Sequence, residues 1–334
     1  MYLLAGPREE AVTQEHFVRT SARWRRPRGL CARAGAPPAP RPRWRLEPSA
    51  RPVSRGGLAE IFLTEGGPGE LAVVLKVLRP ELRGDLRARA WLRREGALAA
   101  WLQHPSLVRG FGLVALGDGE AVVLERLQGM NLYEHLERHG PLPEDQAWAL
   151  VEQVAEGLHY LHERGLVHGD LHAGNVMICG GRVKLIDYSL THRYRRPQER
   201  PVGLAGVLAF MSPEQRLGAP VTPAAELYSL GVCLYQALTG ALPHEDGAWT
   251  LSAPSPRRLR PSVSALLSQV TQRLLATHPQ GRPQSAQELL KTLGHARPAP
   301  RVFAFPSSPR TPRSPNAAPR HEAPPTLERI TVSV

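Results

Sequence analysis

At 334 residues the chain is long enough for about two packed units and a sizeable core, which excludes a peptide hormone or a disulfide-stapled miniprotein. Hydrophobic residues make up 42% and charged residues 22%, ordinary for a globular protein, while 33 Pro and 30 Gly exceed what a fully packed chain needs, so part of it is expected to stay disordered. The net charge of +12 sits in the flanks: residues 1–50 hold 10 Arg against 4 Glu, residues 297–334 hold 6 Arg against 2 Glu, and the middle is near balance. Cys31, Cys179 and Cys233 are far apart and form no CxxC pair, which argues against a disulfide framework or a thiolate metal site and fits a reducing compartment. No apolar run approaches the roughly 18 residues of a transmembrane segment, and the opening MYLLAGPREEA lacks a basic n-region. The expectation is a soluble, cytoplasmic chain.

In chain order, residues 1–50 form a basic Pro/Arg-rich arm and 297–334 a Pro-rich tail, both compositionally disordered. The arm carries Trp24 and Trp44, the makings of a nucleic-acid or membrane-surface element, but a solvated arginine-rich tail is the preferred reading. Between the flanks, RPVSRGGLAEIFLTE and the run from Leu71 to Leu78 read as a hairpin. The Arg-rich stretch LRARAWLRREGALAAWL reads as a helix, and LVRGFGLVAL and EAVVLERL as two further strands. From Pro143 the period becomes helical: Trp148, Val151, Val154, Leu158 and Leu161 share a face. So do Leu227, Leu230, Leu234 and Leu238, and then Val263, Leu266, Val270 and Leu274. A short strand pair, NVMIC and RVKLID, lies between. Strands first and helices after argue an α+β protein of two lobes, a small β-rich one over 51–126 and a larger helical one over 127–296.

The chemistry concentrates in HGDLHAGN, His168 to Asn175, and in Asp187, twelve residues further on. Asp170 and Asn175 in a non-helical loop, with Asp187 brought back by a tight hairpin, place two carboxylates and an amide oxygen within reach of one another. Such oxygen ligands suit a hard cation such as Mg²⁺, which binds through one or two carboxylates plus substrate phosphates. Lys76 in an apolar strand is one of three lysines in a chain that otherwise uses arginine, so it is a residue the composition does not favour. Alone, it would read as a snorkelling surface lysine, and Glu95 as a partner for an arginine one turn away.

Together these segments resemble the protein kinase superfamily, and specifically the bacterial eukaryotic-like Ser/Thr protein kinases. VVLK ending in Lys76 is similar to V-A-I-K, Glu95 to the helix-C partner, HGDLHAGN to H-R-D-x-x-x-x-N, Asp187-Tyr188-Ser189 to D-F-G and Ser212-Pro213-Glu214 to A-P-E. Arg282 matches the arginine that pairs with the last of these. The resemblance implies a two-lobed protein-kinase-like fold, with ATP and Mg²⁺ as cofactors and an unidentified protein as substrate. It also implies roles: Lys76 holding phosphates and pairing with Glu95, Asp187 and Asn175 holding Mg²⁺, and Asp170 taking the acceptor proton. Val53, Ser54, Gly56, Gly57 and Ile61 would cover the nucleotide. Leu124 would be the gatekeeper, with Glu125 and Leu127 offering backbone groups to adenine.

Several positions depart from the family pattern. G-x-G-x-x-G falls on Ser54, Gly56 and Ala59, and the last glycine of D-F-G is Ser189. Gly169 stands where the arginine before the catalytic Asp is expected, and the segment from Leu190 to Met211 offers only Thr191 and Tyr194 as phosphate acceptors, so control by phosphorylation there is not expected. His172 and Val207 replace the Lys and Thr of the Ser/Thr signature, which leads to an expectation of slower, pH-sensitive transfer. The competing readings are a pseudokinase signalling scaffold and a small-molecule kinase like the aminoglycoside phosphotransferases, whose loop HGDLHAGN also resembles. The presence of Lys76, Glu95, Asp170, Asn175 and Asp187 together favours an enzyme over a scaffold. In the tail, Ser308, Thr311 and Ser314 beside arginines are expected autophosphorylation sites.

Overall fold

Alternation in VVLKVL decides which way the first lobe faces. In a strand, successive side chains point to opposite sides, so Val73, Leu75 and Val77 bury together with Phe62, Ala121 and Val123 while Lys76 points the other way. The computed structural model describes residues 51–64, 72–117, 119–195, 206–244 and 253–296. The basic arm, the Pro-rich tail with Ser308, Thr311 and Ser314, and the proposals attached to them lie outside the described residues. The elements below all fall within one compact unit, Trp44–Val334.

Five strands, β1 (Ser54–Arg55), β2 (Ala59–Thr64), β3 (Val73–Leu78), β4 (Gly110–Leu116) and β5 (Gly119–Glu125), form an antiparallel sheet in the order β1-β2-β3-β5-β4. Helix α1 (Leu86–Trp101) packs on β4. Asp85 caps it by accepting from the Arg87 and Ala88 N–H groups at 2.7 and 3.3 Å. Its buried stripe of Ala88, Leu92, Glu95 and Ala99 follows helical spacing, and the approach to the sheet is close: a Cβ on Gly110 would lie 2.4 Å from the Ala99 Cβ.

The second lobe begins with β6 (Met130–Asn131) and α2 (Leu132–His139), capped by Asn131. Helix α3 (Glu144–Glu163) buries the predicted face, then β7 (Leu166–Val167), β8 (Val176–Cys179), β9 (Arg182–Leu185) and β10 (His192–Arg193) carry the site-bearing loops. The predicted strand pair is β8–β9, joined by β6, while β7 pairs with β10. Short α4 (Pro213–Arg216) opens with a Ser212–Gln215 capping box. Helix α5 (Pro223–Thr239) is apolar nearly all round and is therefore buried; α3 and α7 (Ala265–Leu274) both pack on it. Two further helices, the short α6 (Pro256–Leu259) and α8 (Ala286–Ala296), complete the lobe, with α8 against α3.

One predicted face is shifted. Val263 is buried but precedes the Ser264 cap of α7, and Leu266 is 39% exposed. Because the helix starts at Ala265, the inward stripe takes in Leu267 and Thr271 alongside the predicted Val270 and Leu274.

Candidate active site

Strand register sets the roof of the site. Ser54 lies opposite Ile61, Ile61 opposite Lys76, and Lys76 opposite Val122, so these four share one rung and one face of the sheet. Gly56 and Gly57 sit at the tip of the β1–β2 turn, closed by the Gly56 N–H donating to the Ala59 carbonyl at 2.8 Å. Val53, whose N–H donates to the Ile61 carbonyl at 2.8 Å, is 58% exposed.

Lys76 meets two carboxylates. Its Nζ lies 2.7 Å from Glu95 Oε1 on α1 and 2.9 Å from Asp187 Oδ1, 111 positions away in sequence. Burial alone would lower the Lys76 ammonium, but the charges of Asp187 and Glu95 outweigh it and hold it above the ordinary lysine range. Burial pushes Glu95 up, to about 7, against the downward pull of Lys76. Partial burial would raise Asp187 as well, yet the Lys76 charge and hydrogen bonds from Lys76 and Ser189 hold it below the usual carboxylate range. Glu95 keeps 5% of its side-chain surface and Asp187 26%, so of the two only Asp187 is open enough to take a ligand from the cleft. Asp187 is also the one non-glycine among the described residues with positive φ, 70°, a conformation that costs roughly 1–3 kcal/mol and is fixed here by Lys76 and by the Ser189 N–H at 3.0 Å.

These shifts give opposite pH demands. Relative to an unfolded carboxyl near 4.5, folding favours protonated Glu95, so its contribution to stability is present at low pH and is lost as pH rises from about 4.5 to about 7. The ion pair with Lys76 needs the deprotonated form. Activity is therefore expected to fall as pH drops below about 7 without a parallel fall in melting temperature between pH 7 and 5, and Glu95→Gln is expected to remove that limb from a weakened pH–rate profile.

The floor is the loop between β7 and β8. His168 is fully buried, its Nε2 donating to the Ile186 carbonyl at 3.0 Å, as a framework residue should. Gly169 has φ 85°, and a Cβ there would lie 2.5 Å from the Leu190 carbonyl oxygen, so this backbone path leaves no room for the arginine of the family pattern. The Asn175 side-chain amide donates to the Asp170 carbonyl at 2.9 Å and towards Asp170 Oδ2 at 3.4 Å, leaving its own carbonyl oxygen as the atom able to bind a cation. His172 is buried within the same loop, with Nε2 3.7 Å from Asp170 Oδ2. At the end of β5, the Glu125 carboxylate is committed to Lys184 at 2.5 Å and to the Arg109 N–H at 2.7 Å, and its own N–H donates to the Arg109 carbonyl at 2.9 Å, so any nucleotide contact at 125 falls to the backbone carbonyl. Leu127 is half-buried beyond it.

Sequence reasoning missed Glu226. This carboxylate on α5 accepts from the Gly169 N–H at 2.8 Å through Oε1 and meets His162 Nε2 at 2.8 Å through Oε2, so it holds the loop carrying Asp170. The available signal was an acid inside an otherwise apolar helix, which has to find partners. Arg94, on α1, donates to the Thr191 carbonyl. Thr191 is itself fully buried, its hydroxyl donating to the His168 carbonyl at 3.1 Å, so it is no accessible phosphate acceptor. Glu214 and Arg282 form the expected ion pair, at 2.6 and 2.9 Å; burial would raise the Glu214 carboxyl, but Arg282 holds it below its usual range.

Residues 50–305 match the protein kinase domain family. The chain is similar to the serine/threonine-protein kinase pkn2 of Myxococcus xanthus, 34% identical over 76% of this chain and 32% of that protein. It is also similar to the serine/threonine-protein kinase PrkC of Bacillus subtilis, 28% identical over 72% of this chain and 38% of that protein. The chain thus spans roughly a third of the length of these relatives. Among solved structures it resembles the PknI kinase domain of Mycobacterium tuberculosis, with a TM-score of 0.57 and 27% identity, covering 74% of this chain and 94% of that one. With residues 50–305 matching the protein kinase domain, and with Lys76 joined to Glu95 and Asp187 while the Ile186 N–H ties that segment to the Asn175 carbonyl at 3.0 Å, the chain belongs to the protein kinase family, in its bacterial eukaryotic-like Ser/Thr branch.

Proposed function

We propose that this chain is an ATP-dependent Ser/Thr protein kinase, transferring the γ-phosphoryl group to a hydroxyl of a protein substrate. The observation that carries the reading is the double engagement of Lys76 by Glu95 and Asp187, which ties the sheet, α1 and the segment after β9 into one assembled cleft. Lys76, already oriented by Glu95, holds the α and β phosphates of ATP. One carboxylate oxygen from Asp187 and one amide oxygen from Asn175 fit a hard cation completed by phosphate oxygens, and we assign Mg²⁺ there. When bound, Mg²⁺ neutralises charge on the phosphates. Asp170, fixed through Asn175 and the Glu226–Gly169 bond, accepts the proton of the attacking hydroxyl, and Leu171, Gly206, Val207 and Phe210 line a small crevice beside it.

Among the described residues no helix is long and apolar enough to cross a membrane. Cys179 and Cys233 are free thiols, which suits the reducing cytoplasm where we place the reaction. The test is radiolabel transfer from Mg-ATP to generic protein acceptors and, in parallel, to aminoglycosides and other small alcohols. Label in protein that drops about a hundredfold or more in Asp170→Asn supports the reading. Label confined to small alcohols overturns the acceptor assignment, and no turnover by the wild type under varied metals overturns the enzyme in favour of a scaffold.

A further inference from the structure

Tyr188 stands where D-F-G has a phenylalanine, and the hydroxyl this adds is put to use. The residue is 1% exposed, and its hydroxyl donates to the Val108 carbonyl at 2.7 Å, 80 positions earlier. That carbonyl extends a short ladder between the segment before β4 and the end of β9: the Leu185 N–H donates to the Ser106 carbonyl at 2.8 Å, and the Val108 N–H to the Leu185 carbonyl at 2.9 Å. Among the described residues the Val108 carbonyl has no other donor, so a phenylalanine at 188 would leave it buried and unpaired. The Tyr188 backbone is engaged as well: its N–H bonds the Glu95 carboxylate, and its carbonyl accepts the Thr191 N–H at 3.1 Å. Thr191 in turn donates its hydroxyl to the His168 carbonyl and accepts Arg94 of α1 on its own carbonyl. The run from Asp187 to Thr191 is thus tied to α1, to the segment before β4 and to the loop after β7 by groups that carry no phosphate.

We infer that Tyr188 and Arg94 are positioning residues: the Tyr188 hydroxyl on Val108 and Arg94 on Thr191 latch this run so that Asp187 meets Lys76 before nucleotide binds and without a phosphate on the chain. The inference rests on the phosphotransfer reading, in which Asp187 is the residue offered to the metal. The latch has strain to hold against. Asp187 keeps a positive φ of 70°, and the cost of that conformation is of the same order as the net contribution of one hydrogen bond, so losing a single bond is enough to shift the balance towards release. Neither residue is asked to act on a reacting atom. Their loss therefore lowers the fraction of protein in which Mg-ATP finds Asp187 in place, which raises KM, while nucleotide at saturation draws the segment back and restores kcat.

The test uses the full chain after phosphatase treatment, with steady-state transfer to a protein acceptor and amide hydrogen exchange of the unliganded protein. Tyr188→Phe keeps the ring and removes the bond. The amides of residues 188 and 191 are expected to exchange about tenfold faster in this variant than in wild type, with KM for Mg-ATP up about threefold and kcat changed by less than about twofold. Adding Arg94→Ala is expected to raise KM about thirtyfold, with kcat at saturation still within about threefold of wild type. Arg94→Lys, which can still donate to a carbonyl, is expected to stay within about threefold of wild type in both constants. If the double variant does not fold, Tyr188→Phe carries the test alone. Unchanged exchange and KM in Tyr188→Phe, a loss of kcat without a rise in KM, or a wild type that loses its activity on phosphatase treatment would each overturn the latch. A wild type inactive on every acceptor, treated or not, overturns the phosphotransfer reading instead, and amide exchange, which needs no turnover, then decides the latch by itself.

Discussion

Lys76→Met is expected to lower phosphotransfer about a thousandfold or more, while weakening the fold by only about 1–2 kcal/mol at pH 7. The two effects separate because different groups set them. Transfer needs a fixed cation on the phosphates, and methionine supplies none. For the fold, removing one partner of a buried ion pair ordinarily costs about 3–5 kcal/mol, because the other charge is left uncompensated. Here two carboxylates are left behind, and each has a way to limit the cost: burial already pushes Glu95 up to about 7 with Lys76 beside it, so without the lysine it holds a proton at neutral pH, and Asp187 keeps the Ser189 N–H at 3.0 Å and 26% of its side-chain surface in solvent. A neutral Glu95 no longer repels Asp187. Since a carboxyl raised in the folded state stabilises only while protonated, the deficit of the variant should widen as the pH is taken from 6.5 to 9. Denaturant titrations at the two pH values, run beside the transfer assay, test this. Activity within tenfold of wild type, or a stability loss that does not grow with pH, would sink it.

The parts of the site legible in the sequence are those encoded by spacing or period. Lys76 could be oriented because VVLKVL alternates and a period-two strand admits only two faces, and the short hairpin β8–β9 was enough to return Asp187 towards Asn175. The illegible parts depend on backbone path or on one atom meeting another across the fold. Gly169 reads as a lost arginine until its approach to the Leu190 carbonyl appears, and Glu226 acts through a peptide N–H that no side-chain pattern announces. Strands β6, β7 and β10 went unread because two-residue strands carry no periodic signal and exist only through pairing with neighbours; helix α2 went unread although Leu132 and Leu136 recur at helical spacing. The face of α7 was misjudged by one residue, since a helical stripe is defined only once the capping residue, Ser264, has been located.

Arg282→Ala should destabilise the protein by about 3–5 kcal/mol, the largest effect on stability expected of a single substitution away from the cleft. Arg282 is 1% exposed, yet every face of its guanidinium is engaged. It makes a forked pair with Glu214 at 2.6 and 2.9 Å, bonds to the carbonyls of Ala276, Ala224 and Thr277 at 2.8, 3.1 and 3.0 Å, and lies over the Tyr228 ring at 4.9 Å. Alanine removes the donors from three carbonyls and a carboxylate together and leaves a cavity behind. Glu214→Gln should cost less, about 1–3 kcal/mol, because Glu214 keeps 21% of its side-chain surface in contact with solvent and the glutamine carbonyl still accepts one arm of the fork. Arg282→Lys should fall near alanine, since an ammonium is a point donor and cannot reproduce a planar fork while also reaching three carbonyls. The ordering matters more than the magnitudes. If equilibrium unfolding placed Glu214→Gln below Arg282→Ala in stability, or found Arg282→Lys equal to wild type, the anchor would be a simple charge pair and not a hydrogen-bonded hub joining α4 and the first turn of α5 to the segment after α7.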